Sequence, residues 1–305
     1  GDDMDMRGHV QSIALWVVAL VAGWSLLATP ALAQETCLQC HETEGLSFTL
    51  PSGESIPVTV KGKDLAASVH RDLSCTTCHP EQTKIPHPPL AARTAREFRV
   101  TSAQICQGCH PDAASEYRQS VHGRGLRLGL ADVPTCQSCH TAHAVRPAKD
   151  PAFRNNIPLV CGNCHGDPRI ASKYGMKEVY QTYATEFHGV TTFFYRVTKP
   201  QEVSPAAVCY DCHGIHDVKA VDAPDSPVNK QNLLATCRKC HPRAGPLFAS
   251  AWLEHERPAP GKATLVYLVS LFYTILIPSV VAFLGVHTAL DLWRWLMDRL
   301  EERRK

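Results

Sequence analysis

Cys106-Gln107-Gly108-Cys109-His110 sets a pattern that the chain repeats seven times. The other copies are Cys37, Cys40 and His41; Cys75, Cys78 and His79; Cys136, Cys139 and His140; Cys161, Cys164 and His165; Cys209, Cys212 and His213; and Cys237, Cys240 and His241. Together they use all 14 cysteines. Two thiols three positions apart with a histidine directly after them form the attachment signature of c-type haem. The thiols add to the porphyrin vinyl groups, and the histidine becomes the proximal iron ligand. The sequence therefore predicts seven covalently bound haem c groups. Four-cysteine zinc sites would need an even number of pairs, and disulfides would not require a histidine after every second cysteine.

The rest of the fold follows from that load. Residues 34–262 supply 229 positions for seven porphyrins, about 33 each, too few to bury them around an ordinary apolar core. The expected architecture is mainly α and irregular, with the haems as the core and short helices wrapped around them. An aromatic content of 7% and 22 prolines agree with a loop-rich wrapper. Covalent cofactors then staple a chain that apolar burial alone would not hold. Leu46–Leu50 and Ile56–Val60, joined through Pro51 and Gly53, predict one small N-terminal β-hairpin. Helices are expected over Asp112–Ser120, Asp167–Phe187 and Pro246–His255, and a stiff break over Arg257–Gly261.

The two ends of the chain are apolar. Arg7 precedes an apolar stretch from Ile13 to Leu27, and Ala31-Leu32-Ala33 supplies a small-x-small site, so residues 1–33 read as a secretory signal peptide. Ala263 to Leu290 carries no formal charge over 28 residues, more than the roughly 20 needed to span a bilayer as a helix. Arg294, Arg299, Arg303, Arg304 and Lys305 follow it, which puts the tail in the cytoplasm and the haem region on the periplasmic side of the inner membrane. Beyond the leader the chain has 30 Lys+Arg and 26 Asp+Glu, with no basic tract to support nucleic-acid binding.

An internal repeat organises the middle. Cys106–His110 leads through Tyr117 to His122-Gly123, then to Cys136–His140 and His143. Cys161–His165 leads through Tyr183 to His188-Gly189, then to Cys209–His213 and His216, and a truncated third copy runs from Cys237 to His255. The expected divisions are an N-terminal two-haem module at 34–98, a five-haem region at 99–258, a linker and membrane helix at 259–290, and a tail at 291–305.

Sixteen histidines are present, seven of them proximal. His9 falls in the leader and His287 in the membrane span. His70, His87, His122, His143, His188, His216 and His255 remain, seven for seven irons. Met176 is the one methionine between leader and membrane, so bis-histidine ligation and low potentials are expected. The spacing does not say which distal histidine serves which iron.

The motifs, the Ser-Val-His segments at His70 and His122, and the Cys-His-x-x-His units at His140 and His213 resemble the multihaem cytochromes c with bis-histidine ligation. That group includes class III cytochromes and related periplasmic electron carriers. The resemblance covers about residues 35–256 and implies closely packed haems acting as an electron wire. The chain departs from the N-terminally anchored tetrahaem quinol dehydrogenases, and it lacks the Cys-x-x-Cys-Lys motif of haem nitrite reductases. The expected role is a membrane-anchored electron-transfer subunit of a quinone-linked respiratory complex, with no catalytic residues of its own. Its expected partners are a polytopic cytochrome b or quinone-reactive subunit and periplasmic redox proteins. Thr274, Pro278, Ala282, Gly285 and Ala289 form a small-residue face for such a helix partner. His287, on the opposite face and one turn before Asp291, is a candidate contact to a haem b or quinone. The alternative is a multihaem reductase of a small nitrogen or sulfur compound, which needs one open iron.

Overall fold

A computed structural model describes residues 30–251 and 255–304, with side chains from Thr36 onward. The expected leader lies almost wholly outside the described residues. The elements run α1 (Pro30–His41), β1 (Ser47–Thr49), β2 (Ser55–Pro57), α2 (Gly62–Ala66), α3 (Cys75–Cys78), α4 (Ala95–Gln107), α5 (Pro111–Gln119), α6 (Val121–Arg127), α7 (Cys136–His140) and α8 (Pro151–His165). They continue as α9 (Pro168–Lys173), α10 (Val179–Thr185), α11 (Phe187–Thr198), α12 (Cys209–His213), α13 (Leu233–Arg238), α14 (Pro246–Ser250) and α15 (Thr264–Glu302). The fold is mainly helical with one small antiparallel hairpin, as the sequence implies. In it Phe48 faces Ile56.

Local chemistry starts the helices. Thr94 Oγ1 accepts from the Glu97 backbone N–H at 3.1 Å to begin α4, and Asp150 and Asp167 each cap a helix whose first residue is proline. The continuous helix expected over Asp167–Phe187 is instead three pieces. Gly175 takes a left-handed φ of 61° after α9, and Glu186 is extended between α10 and α11. That second break turns the chain sharply before His188. The expected Pro246–His255 helix is helical to Ser250; residues 252–254 lie outside the described residues.

An ordinary core is nearly missing. Among the described residues ten apolar side chains are buried, five of them alanine. The polypeptide instead encloses one continuous cavity of about 3710 Å³. A single cofactor or drug-sized ligand occupies about 300–1,000 Å³, so one-seventh of this volume, about 530 Å³, suits one such group. Helix α8 is the hub of the wall, packing against α7, α9, α10, α11 and α12. Arg154 on α8 grips the loop inside one motif: its guanidinium donates to both Asp211 oxygens at 3.0 and 2.8 Å and to Tyr210 Oη at 2.9 Å. That planar fork holds the peptide between Cys209 and Cys212 in place.

Helix α15 stands apart, with none of its described residues buried. Its most apolar window has a mean hydropathy of 2.2. At 39 residues it extends about 58 Å, well beyond the roughly 30 Å of bilayer hydrocarbon. It therefore continues through the segment expected as a separate tail, because Leu, Arg and Glu there are strong helix formers and no breaker intervenes. Length and composition suffice for a membrane anchor. His287 Nδ1 lies 3.1 Å from an Asp291 carboxylate oxygen on its exposed surface.

Candidate metal centres

Each motif is positioned by a helix end. Cys106 lies in the last turn of α4, Cys161–His165 ends α8, and Cys136–His140 and Cys209–His213 are the one-turn helices α7 and α12. A single turn of helix brings both thiols of a motif to one face and turns the next residue, histidine, toward the cavity. All seven motif histidines and all seven other candidate ligands line that cavity, as do 13 of the cysteines; Cys164 is the exception.

The histidines meet in seven pairs. Ring centroids are 5.9 Å apart for His41 and His87, 6.1 Å for His110 and His70, and 6.2 Å for His79 and His143. The others are His140 and His216 at 6.1 Å, His165 and His122 at 6.3 Å, His213 and His255 at 6.4 Å, and His241 and His188 at 6.3 Å. Every pair joins one motif histidine to one histidine outside the motifs. Direct ring stacking would bring centroids closer in many cases, whereas imidazoles bonded at about 2 Å on opposite sides of one metal put them about 6.3 Å apart. The spacing is that of a metal held between two rings.

Protonation agrees. Burial pushes His122 and His255 down to about 4, with the paired ring adding to the effect. His79, His140, His143, His165, His188 and His213 shift down for the same first reason. Neutral imidazole is the form that binds metal. Three of these rings hydrogen-bond to the polypeptide through Nδ1: His41 to the Val58 carbonyl at 2.9 Å, His87 to the Lys84 carbonyl at 2.9 Å, and His216 to Glu116 at 3.3 Å. These bonds fix the tautomer and leave Nε2 for a metal. Paired thiols, a single proximal histidine and a facing histidine in a porphyrin-sized space fit haem c at every motif.

Pairing ignores the repeat boundaries. The histidine two residues after a Ser or Glu turn points forward: His70 meets the ring of the Cys106 motif, His122 that of the Cys161 motif, and His188 that of the Cys237 motif. The histidines three residues past His140 and His213 point backward, His143 to the Cys75 motif and His216 to the Cys136 motif, and so does His255 in the truncated third copy, which meets the Cys209 motif. Only His87 closes a site within its own segment. Matching backbone bonds dock the backward loops, from Val69 N–H to the Val145 carbonyl at 2.9 Å and from Val121 N–H to the Val218 carbonyl at 2.8 Å. His255, eight residues before Ala263, faces His213 rather than the His241 ring of the nearest preceding motif.

Successive motifs lie side by side in chain order: Cys75 is near Cys37, Cys78 near Cys106, Cys106 near Cys136, Cys139 near Cys161, Cys161 near Cys209, and Cys212 near Cys237.

Residues that the motif reading passed over hold these positions. Tyr117 Oη donates to the Pro134 carbonyl at 2.6 Å, and its repeat partner Tyr183 donates to the Ala207 carbonyl at 2.9 Å. Ser120 Oγ accepts from Gly123 N–H at 3.0 Å at the turn before His122. Their signal in the sequence is the repeat itself. After His213 the chain turns through Gly214 at φ 87°, and after His140 through Thr141 at φ 63° and ψ −179°. That region is almost reserved for glycine and costs other residues about 1–3 kcal/mol. Thr141→Gly is expected to raise the thermal midpoint, because relieved strain exceeds the glycine entropy cost of about 0.5–1 kcal/mol. Melting followed by haem absorbance checks it; a lower midpoint would show that the threonine is unstrained.

The chain is similar to the multiheme cytochrome MtrC of Shewanella baltica (strain OS185), 24% identical over 170 residues. The match covers 51% of this chain and 24% of that protein, so the chain spans about a quarter of its relative's length. No family model and no solved structure matches the chain.

Proposed function

We propose that the protein is an electron-transfer cytochrome of seven haem c groups, each iron held by two histidines, anchored in a membrane by α15. The observation that carries this reading is the one-to-one pairing of seven motif histidines with seven others at metal-bridging separation. Similarity to a multiheme cytochrome supports it. Haem, when bound, supplies an iron that cycles between ferric and ferrous states. The polypeptide's part is to attach it, fill both axial positions and exclude water. With both positions filled, no iron offers a place for substrate, which favours a carrier over the reductase alternative. Contact between consecutive motifs favours a row of cofactors in chain order, the arrangement that transfer over a long distance needs.

The basic residues after the apolar span favour a cytoplasmic C-terminus, with the haem region on the periplasmic side of the inner membrane. In this reading α15 packs against a cytochrome b or quinone-reactive partner and links the row to the quinone pool, with periplasmic redox proteins at the far end. Holoprotein made with the c-type maturation machinery should gain the mass of seven haems and give wholly low-spin spectra when oxidised. Fewer haems, or a high-spin signal in the wild-type protein, would overturn the reading.

A further inference from the structure

Glu116 is a carboxylate hydrogen-bonded to a candidate axial imidazole of the haem region. It sits on α5, one position before Tyr117, and its Oε2 accepts from His216 Nδ1, 3.3 Å away and 100 residues on in the chain. The Glu116 side chain is 56% exposed and that of His216 34%, so the contact lies at the cavity rim rather than in bulk water. The docking bond from Val121 N–H, at the start of α6, to the Val218 carbonyl brings the His216 loop beside the end of α5. The repeat places a second residue in the same role: Thr182, one position before Tyr183, donates from Oγ1 to the His255 backbone carbonyl at 3.0 Å. The position before the tyrosine therefore holds the backward-pointing histidine in both copies. In the second copy the contact is a neutral hydroxyl to the backbone; in the first it is an anion on the ring.

That difference has an electronic consequence. A carboxylate accepting from Nδ1 draws the imidazole toward imidazolate and makes Nε2 a stronger donor, which favours the ferric over the ferrous ion. The nearby negative charge acts in the same direction. We propose that Glu116 is a positioning and potential-setting residue for the fourth haem, the one attached at Cys136 and Cys139, and lowers its potential relative to the site that Thr182 supports. The inference rests on the assignment of His140 and His216 as that haem's ligands. It gives the middle of a seven-site row a tuned step, set by a residue separated by three motifs from the ligand it touches.

The test uses the full-length, haem-loaded protein in detergent. Glu116→Gln keeps the size and removes the charge; redox titration should move one of seven transitions to higher potential, and one low-spin species should change its paramagnetic resonance signature. Glu116→Asp should restore part of the shift. A control, His216→Ala, should create one high-spin haem. If His216→Ala does so while Glu116→Gln leaves all seven transitions in place, the tuning role fails and the ligand assignment stands. If His216→Ala leaves seven low-spin haems, the ligand assignment itself fails.

Discussion

Replacing His122 by alanine is expected to turn one haem high-spin, the one proposed at Cys161 and Cys164 rather than either of those in the segment that contains His122. The ring of His122 is 6.3 Å from His165, and no other distal histidine is paired with that motif. His110 and His140, the motif histidines on either side of it in sequence, are paired with His70 and His216. Deleting the imidazole should leave the iron of that site with one open axial position. One equivalent of carbon monoxide should then bind the reduced protein, where the parent binds none. Adding Cys161→Ser and Cys164→Ser should remove both the high-spin signal and that binding. If the signal survives in the triple variant, the cross-repeat pairing is wrong. The reciprocal experiment at His143 should open the site at Cys75 and Cys78, earlier in the chain.

Gly189→Ala is expected to destabilise the fold more than any other single methyl addition in the haem region. A Cβ there would lie 1.9 Å from the Tyr183 carbonyl oxygen and 2.7 Å from its carbon. Those are backbone atoms at the end of α10, and Tyr183 is itself fixed by its hydroxyl on the Ala207 carbonyl, so little can yield. Overpacking of this kind costs about 1–3 kcal/mol, and an obstructed backbone puts it at the upper end. Because the same turn presents His188 to the His241 ring, haem at Cys237 should be the first to lose its low-spin character on heating. Gly123→Ala repeats the experiment in the first copy, with 2.0 Å to the Tyr117 oxygen. Gly245→Ala, which meets nothing within 4 Å, is the control and should melt within about 0.5 kcal/mol of the parent, as for most surface changes. A parent-like midpoint for Gly189→Ala would mean that the turn before His188 is loosely packed.

Both predictions turn on a feature absent from the linear pattern. The six forward and backward contacts interlock the segments, so six of the seven histidine pairs join parts of the chain that the repeat would otherwise leave as separate beads. That arrangement compensates for a protein core of ten apolar residues among the described ones, five of them alanine. It also makes the segments depend on one another: loss of one axial ligand loosens two of them.

The sequence was a poorer guide to helices than to chemistry. Thr94-x-x-Glu97 and Asp150-Pro151 are ordinary helix starts, yet α4 and α8 were not expected; both run into a cysteine motif, whose residues are chosen for attachment chemistry and carry no helical periodicity. The helix expected over Asp167–Phe187 failed at Gly175 and Glu186, where a left-handed glycine and an extended residue outweigh apolar periodicity. The hairpin was legible because Pro51 and Gly53 mark its turn between two apolar runs.

What the sequence alone determined was the inventory: seven attachment motifs, seven further histidines, an apolar anchor and too little hydrophobic residue for any other core. Covalent chemistry is local, so three adjacent side chains suffice to declare it. Only the tertiary structure decided which histidine faces which motif, since axial pairing depends on where separate turns of a thin chain come to lie. His122 stands 12 residues after His110 and 43 before His165, and it faces the farther one; Tyr117, Ser120 and Gly123 set that turn through contacts the linear spacing does not encode.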